Sequence, residues 1–326
     1  MRNRKHALAA LLALATVCAL SGCMRDRQEG PAWELMGEAQ KPKLPEKLEV
    51  EDGLPVLSVY DTADEDVKRM DIEAYVAGVV AGEMKNDWPE EALKAQAILA
   101  RTFVLKFCQD KYSRYEDADI STDVAEAQAY APDSVNGRVR LAVEATRGKV
   151  MAVDGEFPYA WFHAHSGGMT ELPSAALDFS GDDPGYLRPV KSEESDKAPD
   201  GVKRWKASFS REEVARACTA AGTRTDGART VEIGEKGESG RAKTLLINGA
   251  AVSAPSFRIQ IGAERLKSTL IDSVTVEGDA VTFAGRGYGH GVGMSQWGAY
   301  GMAEQGKTAE EIIGHYFPGV EIIALW

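Results

Sequence analysis

A glutamate within an apolar helix face is the feature of this sequence that most directly suggests chemistry. Residues 73–84 predict a helix, and at about 100° per residue Glu83 points between Val79 and Val76. Contact with apolar surface disfavours an ionised carboxylate, so we expect the pKa of Glu83 to be raised. A carboxyl group with a raised pKa can act as a general acid near neutral pH. The alternative is a boundary glutamate that reaches solvent or pairs with a nearby Lys or Arg.

A glycine-rich segment, 285–293, carries glycine at every second position and is followed by Met294, Ser295 and Gln296. This pattern allows close backbone approach, and exposed amides before a helix can bind anionic or polar groups. It lacks the G-x-G-x-x-G spacing of dinucleotide-binding loops. The alternative is a tight structural turn that packs Trp297 against the core.

Histidines offer a second kind of chemistry. His163 and His165 alternate along a predicted strand and share one face, so with His290 or His315 they could hold zinc. The alternatives are a substrate contact or a structural role. Since no third ligand is fixed, we predict no metal and no cofactor. The absence of a G-x-S-x-G elbow and of a convincing Cys–His pair disfavours nucleophilic triads.

The N-terminal residues 1–23 predict a lipoprotein signal peptide. A basic start precedes the apolar stretch 7–19, which is too short to span a membrane stably. The sequence Leu-Ser-Gly-Cys then resembles a bacterial lipobox, in which Cys23 is lipidated. We therefore expect a protein anchored by lipid at the extracytoplasmic face of the cell membrane. The alternatives are a plain signal peptide and a retained anchor.

Charge and cysteine content limit the partners and cross-links. The formal net charge of −12 argues against nucleic acid as a partner. An oxidising compartment would permit a disulfide between Cys108 and Cys218, and the sequence leaves that pairing open.

The predicted elements indicate an α+β fold, in which a helical hairpin and antiparallel strands form a cleft beside a mainly β second subdomain. Asp87 should cap the second helix of the hairpin, which runs to about residue 109. Asp154-Gly155 predicts a turn that pairs 150–153 with 157–165. Ser210 and Thr308 should open helices with capping boxes. The predicted domain organisation is a flexible tether at 24–50 and one domain at 51–326, with a catalytic part at 51–185 and 280–326 and a β-rich subdomain at 186–279.

Three segments carry a family resemblance. They read AYVAGVVAGEMKNDWPEEALKAQAILARTF, YAWFHAHSGGMTE and GRGYGHGVGMSQWGAYGMAEQGKTAEEIIGHYFPG. With weaker matches between them, such as STDVAEAQAY, they span about residues 55–326. On these segments the chain resembles the stage II sporulation protein D (SpoIID) / amidase enhancer (LytB) family.

The resemblance implies a peptidoglycan lytic transglycosylase. Such an enzyme cuts the β-1,4 bond between N-acetylmuramic acid and N-acetylglucosamine in peptide-stripped glycan strands and leaves 1,6-anhydro ends. Glu83 matches the family's catalytic glutamate, the general acid and base. Family positions that line the cleft fall on Lys94, Arg101, Thr170 and Tyr186. Motif location adds Ser166, His290 and Gln296 as further substrate-binding candidates.

The resemblance also leaves other functions open. A non-catalytic glycan-binding amidase enhancer would keep the same cleft and would have a cell-wall amidase as partner. A structural cell-wall lipoprotein is a third reading. A hydrolase would need a second carboxylate, about 5–5.5 Å or 6.5–9.5 Å from the first, and Asp123, Glu171 and Asp178 are the candidates. The zinc cluster of some family members is missing, because the corresponding stretch 112–130 has neither Cys nor His.

Overall fold

The computed structural model of the protein describes residues 41–326. The predicted signal peptide at 1–23, the lipidation site Cys23 and residues 24–40 of the predicted tether lie outside the described residues. The end of the predicted tether is packed rather than free, since Pro42, Pro45 and Leu48 are buried.

The strands in chain order are β1 (Glu49–Glu51), β2 (Leu54–Asp61), β3 (Asp66–Asp71), β4 (Ile120–Ser121), β5 (Lys149–Ala152), β6 (Phe162–His163), β7 (Arg204–Ser210), β8 (Val231–Ile233), β9 (Thr244–Ile247), β10 (Ala250–Ser253), β11 (Ile271–Glu277), β12 (Ala280–Arg286), β13 (Met294–Ser295) and β14 (Glu321–Ala324). The helices are α1 (Ile72–Glu83), α2 (Glu90–Asp110), α3 (Gly137–Ala145), α4 (Pro173–Ala176), α5 (Asp200–Lys203), α6 (Arg211–Ala220), α7 (Ala254–Ile261), α8 (Gln296–Glu304) and α9 (Ala309–Tyr316).

Helices and small, mostly antiparallel sheets occupy separate parts of the chain, which confirms the predicted α+β class. Neighbouring strands are antiparallel in β1–β2–β3, β8–β9–β10, β7–β12–β11 and β5–β14. The short pairs β13–β6 and β2–β4 are parallel. Within residues 41–326 no helix combines the length and the apolar character that crossing a membrane requires.

The first hydrophobic core surrounds α2, which packs against α1, α3, α8 and α9. Residues 95–100 of α2 have no exposed surface, so this helix is buried on all sides. Three of those six residues are alanines, whose small side chains let the neighbouring helices approach closely. The hairpin of α1 and α2 that the sequence predicts is thus the centre of this core.

The second hydrophobic core lies between the sheet β7–β12–β11, the sheet β8–β9–β10 and the helices α6 and α7. Its aromatic residues include Phe283, whose ring contacts those of Phe209 and Phe257. The predicted capping box at Ser210 and Glu213, which opens α6, is present, and so is that at Thr308 and Glu311, which opens α9. Both are local signals that do not depend on the rest of the fold.

Two local predictions are wrong. The residue that caps α2 is Pro89 rather than Asp87, because a turn in which the Trp88 N–H donates to the Lys85 carbonyl precedes the helix. The turn at Asp154-Gly155 forms, but the pairing beyond it stops at a bridge between Val153 and Glu156. Pro158 lacks the N–H that a longer ladder needs, and β5 pairs with the C-terminal strand β14 instead.

The two cysteines of the described chain are both unpaired. Cys108 belongs to the first core and Cys218 to the second, and both are buried. They behave as small apolar side chains.

Candidate active site

A cavity of about 580 Å³ opens at the C-terminal end of α1. The end of α1, the side of α2, the segment before Ala129, the strand β6 and the glycine-rich loop all contribute to its wall. The lining residues are Gly82, Glu83, Phe103, Ala127, Gln128, Ala160, Trp161, Phe162, His163, Ala164, Tyr288, Gly289, His290 and Gln296. Glu83 is the sole carboxylate among them, and no Lys or Arg belongs to this lining within residues 41–326.

Glu83 ends α1 and is held by two hydrogen bonds. Its Oε1 accepts from the Ala129 N–H at 2.7 Å, and its Oε2 accepts from Gln296 Nε2 at 3.4 Å. Burial raises the pKa of Glu83 above its ordinary value, and these two hydrogen bonds oppose the rise because they favour the carboxylate. The rise predicted from the helix face is therefore confirmed, and no cation pairs with this side chain in the described structure.

The backbone near Ala129 reaches Glu83 because of a glycine in α1. A Cβ added at Gly82 would lie 2.7 Å from the Ala129 carbonyl carbon. The absence of a side chain there lets the segment that carries Ala129 pack directly on the helix.

The glycine-rich loop lies against β6 with equally close contacts. Gly289 has a φ of +102°, and a Cβ there would lie 2.7 Å from the Cβ of His163. This is the close backbone approach that the glycine pattern predicts. His290 enters the cavity wall from this loop, and its Nδ1 accepts from the Val292 N–H at 3.0 Å. Burial lowers the pKa of His290 to about 3, so its ring is neutral near pH 7.

Gln296 is positioned by a carboxylate that lies behind the cavity. Ser295 caps α8, accepting from the Gly298 N–H, and donates to both carboxylate oxygens of Glu194 at 2.9 Å. Glu194 also accepts hydrogen bonds from the backbone N–H and the hydroxyl of Ser166. Glu194 therefore fixes the start of α8 relative to the Ser166 loop and holds Gln296 beside Glu83.

Arg101 and Lys94, which the family resemblance predicts as substrate contacts, do not line the Glu83 cavity. Arg101 has no exposed surface and forms an ion pair with Glu73 at 2.5 Å, at the opposite end of α1 from Glu83. Lys94 pairs with Glu90 at 2.6 Å and with Glu91 at 2.9 Å within its own helix. A spacing of seven residues puts both cations on one flank of α2 but does not say which end of α1 that flank meets.

Three further candidates support the site without lining it. Ser166 is fully buried and hydrogen-bonded to Glu194. Thr170 is buried, and its Oγ1 accepts from the Val190 N–H at 2.8 Å. Tyr186 accepts through its hydroxyl from the Tyr159 N–H at 3.0 Å. Ser166, Thr170 and Tyr186 are therefore not among the residues that line the Glu83 cavity. The structure thus brings together Glu83, His290 and Gln296 of the predicted residues.

Sequence reasoning missed two polar residues of the cavity wall. Gln128 lies in STDVAEAQAY, where only the weak match to the family pointed to it. For His163 the sequence leaves a zinc ligand, a substrate contact and a structural role open, and it does not assign the residue to the site. Both depend on contacts between distant parts of the chain, which the sequence does not display.

The three carboxylates proposed for a hydrolase do not line the Glu83 cavity. Glu171 is buried and accepts from Ser239, while Asp178 is exposed and accepts from Ser253 and Ser256. Asp123 accepts from Tyr115 at 3.0 Å. No group of three or more His, Cys, Asp or Glu side chains in the described part of the chain could hold a metal ion.

A second cavity of about 340 Å³ continues from the first and shares Phe103, Ala127, Ala160, Trp161 and His290 with it. Its wall includes Tyr159, whose ring stacks on that of Trp161 with 4.6 Å between centroids. Lys106 lies over the Tyr159 ring at 5.2 Å. The two adjoining cavities form one groove, whose wall includes the aromatic side chains of Phe103, Tyr159 and Trp161.

Comparisons with known proteins find a family profile and several relatives that are similar to this chain. The family profile described as "Stage II sporulation protein" matches residues 60–152, and one described as a domain of unknown function matches residues 182–293. Stage II sporulation protein D of Bacillus subtilis (strain 168) is 31% identical over 286 residues, covering 82% of this chain and 78% of the relative. The same-named protein of Bacillus amyloliquefaciens is 32% identical over 277 residues, covering 81% and 77%. The "Amidase enhancer" of Bacillus subtilis (strain 168) is 29% identical over 289 residues, which cover 75% of this chain and 40% of that relative.

Proposed function

Because the chain belongs to the stage II sporulation protein D family, we propose that it is a peptidoglycan lytic transglycosylase. It would cleave the β-1,4 bond between N-acetylmuramic acid and N-acetylglucosamine in peptide-stripped glycan strands and leave 1,6-anhydro ends. The observation that supports this most is Glu83, a carboxyl of raised pKa and the sole carboxylate of its cavity within the described chain.

The proposed reaction needs one group that first gives and then takes a proton. Neutral Glu83 donates its proton to the glycosidic oxygen as the bond to the muramic C1 breaks. The C6 hydroxyl oxygen of the same sugar then bonds to C1, and its proton passes to the Glu83 carboxylate. The attacking oxygen belongs to the substrate, so the second carboxylate of a hydrolase is unnecessary. Burial keeps His290 and His163 neutral, so neither can serve as the acid near pH 7.

Gln296 and the Ala129 N–H would support the second half of this cycle. Both hydrogen bonds favour the carboxylate of Glu83, and they hold it in one orientation between the two proton transfers. Burial favours the neutral acid that the first transfer requires. Burial and the two hydrogen bonds thus favour opposite protonation states of Glu83, which suits a group that must gain and lose a proton in every turnover.

A second candidate function comes from the named relative. One relative is called an amidase enhancer, and a non-catalytic glycan-binding protein that stimulates a cell-wall amidase would use the same groove. Its aromatic side chains, and a Glu83 cavity whose lining includes no Lys or Arg within residues 41–326, suit uncharged sugars whether or not they are cut. We further propose that a lipid on Cys23 holds the protein at the extracytoplasmic face of the membrane, next to either substrate or partner.

The test is to incubate the purified full-length protein with peptide-stripped glycan strands and to identify the products by mass spectrometry. Anhydro-muramyl ends, lighter by one water than hydrolytic ends, are expected from the wild type. Glu83→Gln should lower the rate about 10²–10⁴-fold, as loss of a general acid does. Glu116→Gln, which changes an exposed glutamate, is the matched control.

Other outcomes of this experiment would indicate a different function. Reducing ends in place of anhydro ends would indicate a hydrolase. Glycan binding without cleavage, with amidase stimulation that survives Glu83→Gln, would support the amidase enhancer.

A further inference from the structure

Two buried polar side chains in the wall of the Glu83 cavity lack hydrogen-bond partners. Gln128 is 3% exposed, and neither Nε2 nor Oε1 has a partner within residues 41–326. His163 is 4% exposed, and its Nε2 is likewise unpaired in that part of the chain. Buried polar groups in native proteins nearly always have partners, and leaving them without one is costly. Since both residues line the same cavity, a bound ligand is the natural partner.

The contact made by His163 Nδ1 determines whether His163 Nε2 donates or accepts a hydrogen bond. Nδ1 lies 3.1 Å from the Val292 carbonyl oxygen, which can only accept, so Nδ1 carries the proton. Burial lowers the pKa of His163 well below its ordinary value, which leaves Nε2 as a lone-pair acceptor near neutral pH. The ligand must therefore present an N–H or O–H to His163. Gln128 offers both a donor and an acceptor.

The rest of the cavity wall narrows the chemistry of that ligand. Phe103, Ala127 and Ala160 give it apolar surface, and no Lys or Arg of the described chain belongs to its lining. A neutral group with a donor, an acceptor and a methyl group matches these features. An acetamido group has all three.

We propose that Gln128 and His163 bind the 2-acetamido group of an N-acetylated sugar in the groove. The acetamide N–H donates to His163 Nε2, the Gln128 Nε2–H donates to the acetamide carbonyl oxygen, and the methyl group contacts the apolar wall. This assignment rests on the proposed glycan substrate and adds the residues that select for N-acetylation. A sugar with a hydroxyl at C2 lacks the carbonyl and the methyl group, and an N-deacetylated sugar brings a cation into a cavity without a carboxylate other than Glu83.

The test measures binding rather than cleavage. Full-length protein carrying Glu83→Gln is titrated calorimetrically with the hexamer of N-acetylglucosamine and with cellohexaose, which has a hydroxyl at C2. We expect the N-acetylated hexamer to bind more tightly. Adding Gln128→Met or His163→Phe should weaken its binding about 10-fold each, the effect of one lost hydrogen bond of about 1.4 kcal/mol, and leave cellohexaose nearly unchanged.

A matched control separates binding from folding. Gln96 is also a buried glutamine whose amide has no partner within residues 41–326, but it does not line the cavity. Gln96→Met should therefore leave both affinities unchanged. In protein without the Gln128 and His163 changes, the ¹⁵N signal of His163 Nε2 should shift on adding the N-acetylated hexamer and not on adding cellohexaose. This second measurement keeps the test valid if either variant fails to fold.

Several results would overturn the inference. They are equal affinity for the two hexamers, equal losses for both in the variants, a loss in Gln96→Met as large as in Gln128→Met, or no binding of either sugar. The outcomes are independent of the cleavage test. An acetamido preference that depends on both residues, in a protein that forms no anhydro ends, would retain this inference and reject the transglycosylase. Anhydro ends without that preference would retain the transglycosylase and reject this inference.

Discussion

At the scale of single residues, opposing influences set the protonation of Glu83. Burial raises its pKa, while the Ala129 N–H and the Gln296 amide stabilise its carboxylate and lower it. The net rise is what a general acid needs. Of these two donors only Gln296 can be removed by substitution, because the Ala129 donor is a backbone N–H. The Gln296 contact with Glu83 Oε2, at 3.4 Å, is long for a hydrogen bond.

Replacing Gln296 with Met should therefore raise the pKa of Glu83 further. Activity that needs protonated Glu83 falls as pH rises through that pKa, so the alkaline limb of the pH–rate profile should move to higher pH. We also expect kcat to fall by up to about 10-fold, because the carboxylate loses one positioning contact. Gln305→Met, at the exposed far end of α8, is the control. An alkaline limb that stays in place or moves to lower pH would contradict this account of Gln296.

At the scale of elements, the helical hairpin has the Glu83 cavity and a buried ion pair at opposite ends of α1. The cavity lies at the C-terminal end of α1, and the buried ion pair of Glu73 and Arg101 lies near its N-terminal end. Glu73 Oε1 also accepts from the Gly148 N–H and from Trp326 Nε1, each at 3.1 Å. Arg101 donates to the Lys149 carbonyl at 2.8 Å. One pair of charges thus joins the hairpin to the start of β5 and to the C-terminus.

Arg101→Met should destabilise the fold by about 3–5 kcal/mol, because it leaves the Glu73 carboxylate buried without its cation. Urea denaturation would measure this loss. The same change at Lys94, whose partner Glu90 is mostly exposed, should cost no more than about 1 kcal/mol. Glycan affinity of the folded protein should be unchanged in both variants. Full stability with lost affinity in Arg101→Met would show that Arg101 contacts substrate after all.

At the scale of the whole molecule, buried charged groups connect the segment between β8 and β9 to the segment that follows β6. Arg241, between β8 and β9, has no exposed surface and donates to the Ser166 carbonyl at 2.6 Å. Glu171 accepts from the Ser239 hydroxyl at 2.7 Å. The Glu171 N–H also donates to the Gly291 carbonyl at 2.8 Å, so the segment between β8 and β9 is linked through Glu171 to the loop that carries His290. Burial lowers the pKa of Arg241 to about 10, which leaves it charged near neutral pH.

The proposed placement of the protein in the cell depends on Cys23. Cys23→Ala should abolish incorporation of a tagged fatty acid and move the protein from the membrane fraction to the soluble fraction. Cys18→Ala changes a cysteine inside the predicted signal peptide and should alter neither result. Fatty-acid labelling that persists in Cys23→Ala would reject the lipid anchor at this position.

The sequence by itself determined the features that depend on neighbouring residues. Helix periodicity placed Glu83 against apolar surface, the capping boxes at Ser210 and Thr308 opened helices where predicted, and alternating glycines indicated a close backbone approach. Each follows from interactions within a few residues along the chain, and these are nearly the same in any fold.

Tertiary structure decided the features that join distant segments. It brought Glu73 rather than Glu83 to Arg101, gave β5 the C-terminal strand as its partner, and put Gln128 and His163 in one cavity wall. Spacing along a helix fixes the face on which a side chain lies, but the element that covers this face depends on how the whole chain packs. The raised pKa of Glu83 could therefore be predicted from the sequence, while the other side chains of its cavity wall were identified only in the folded protein.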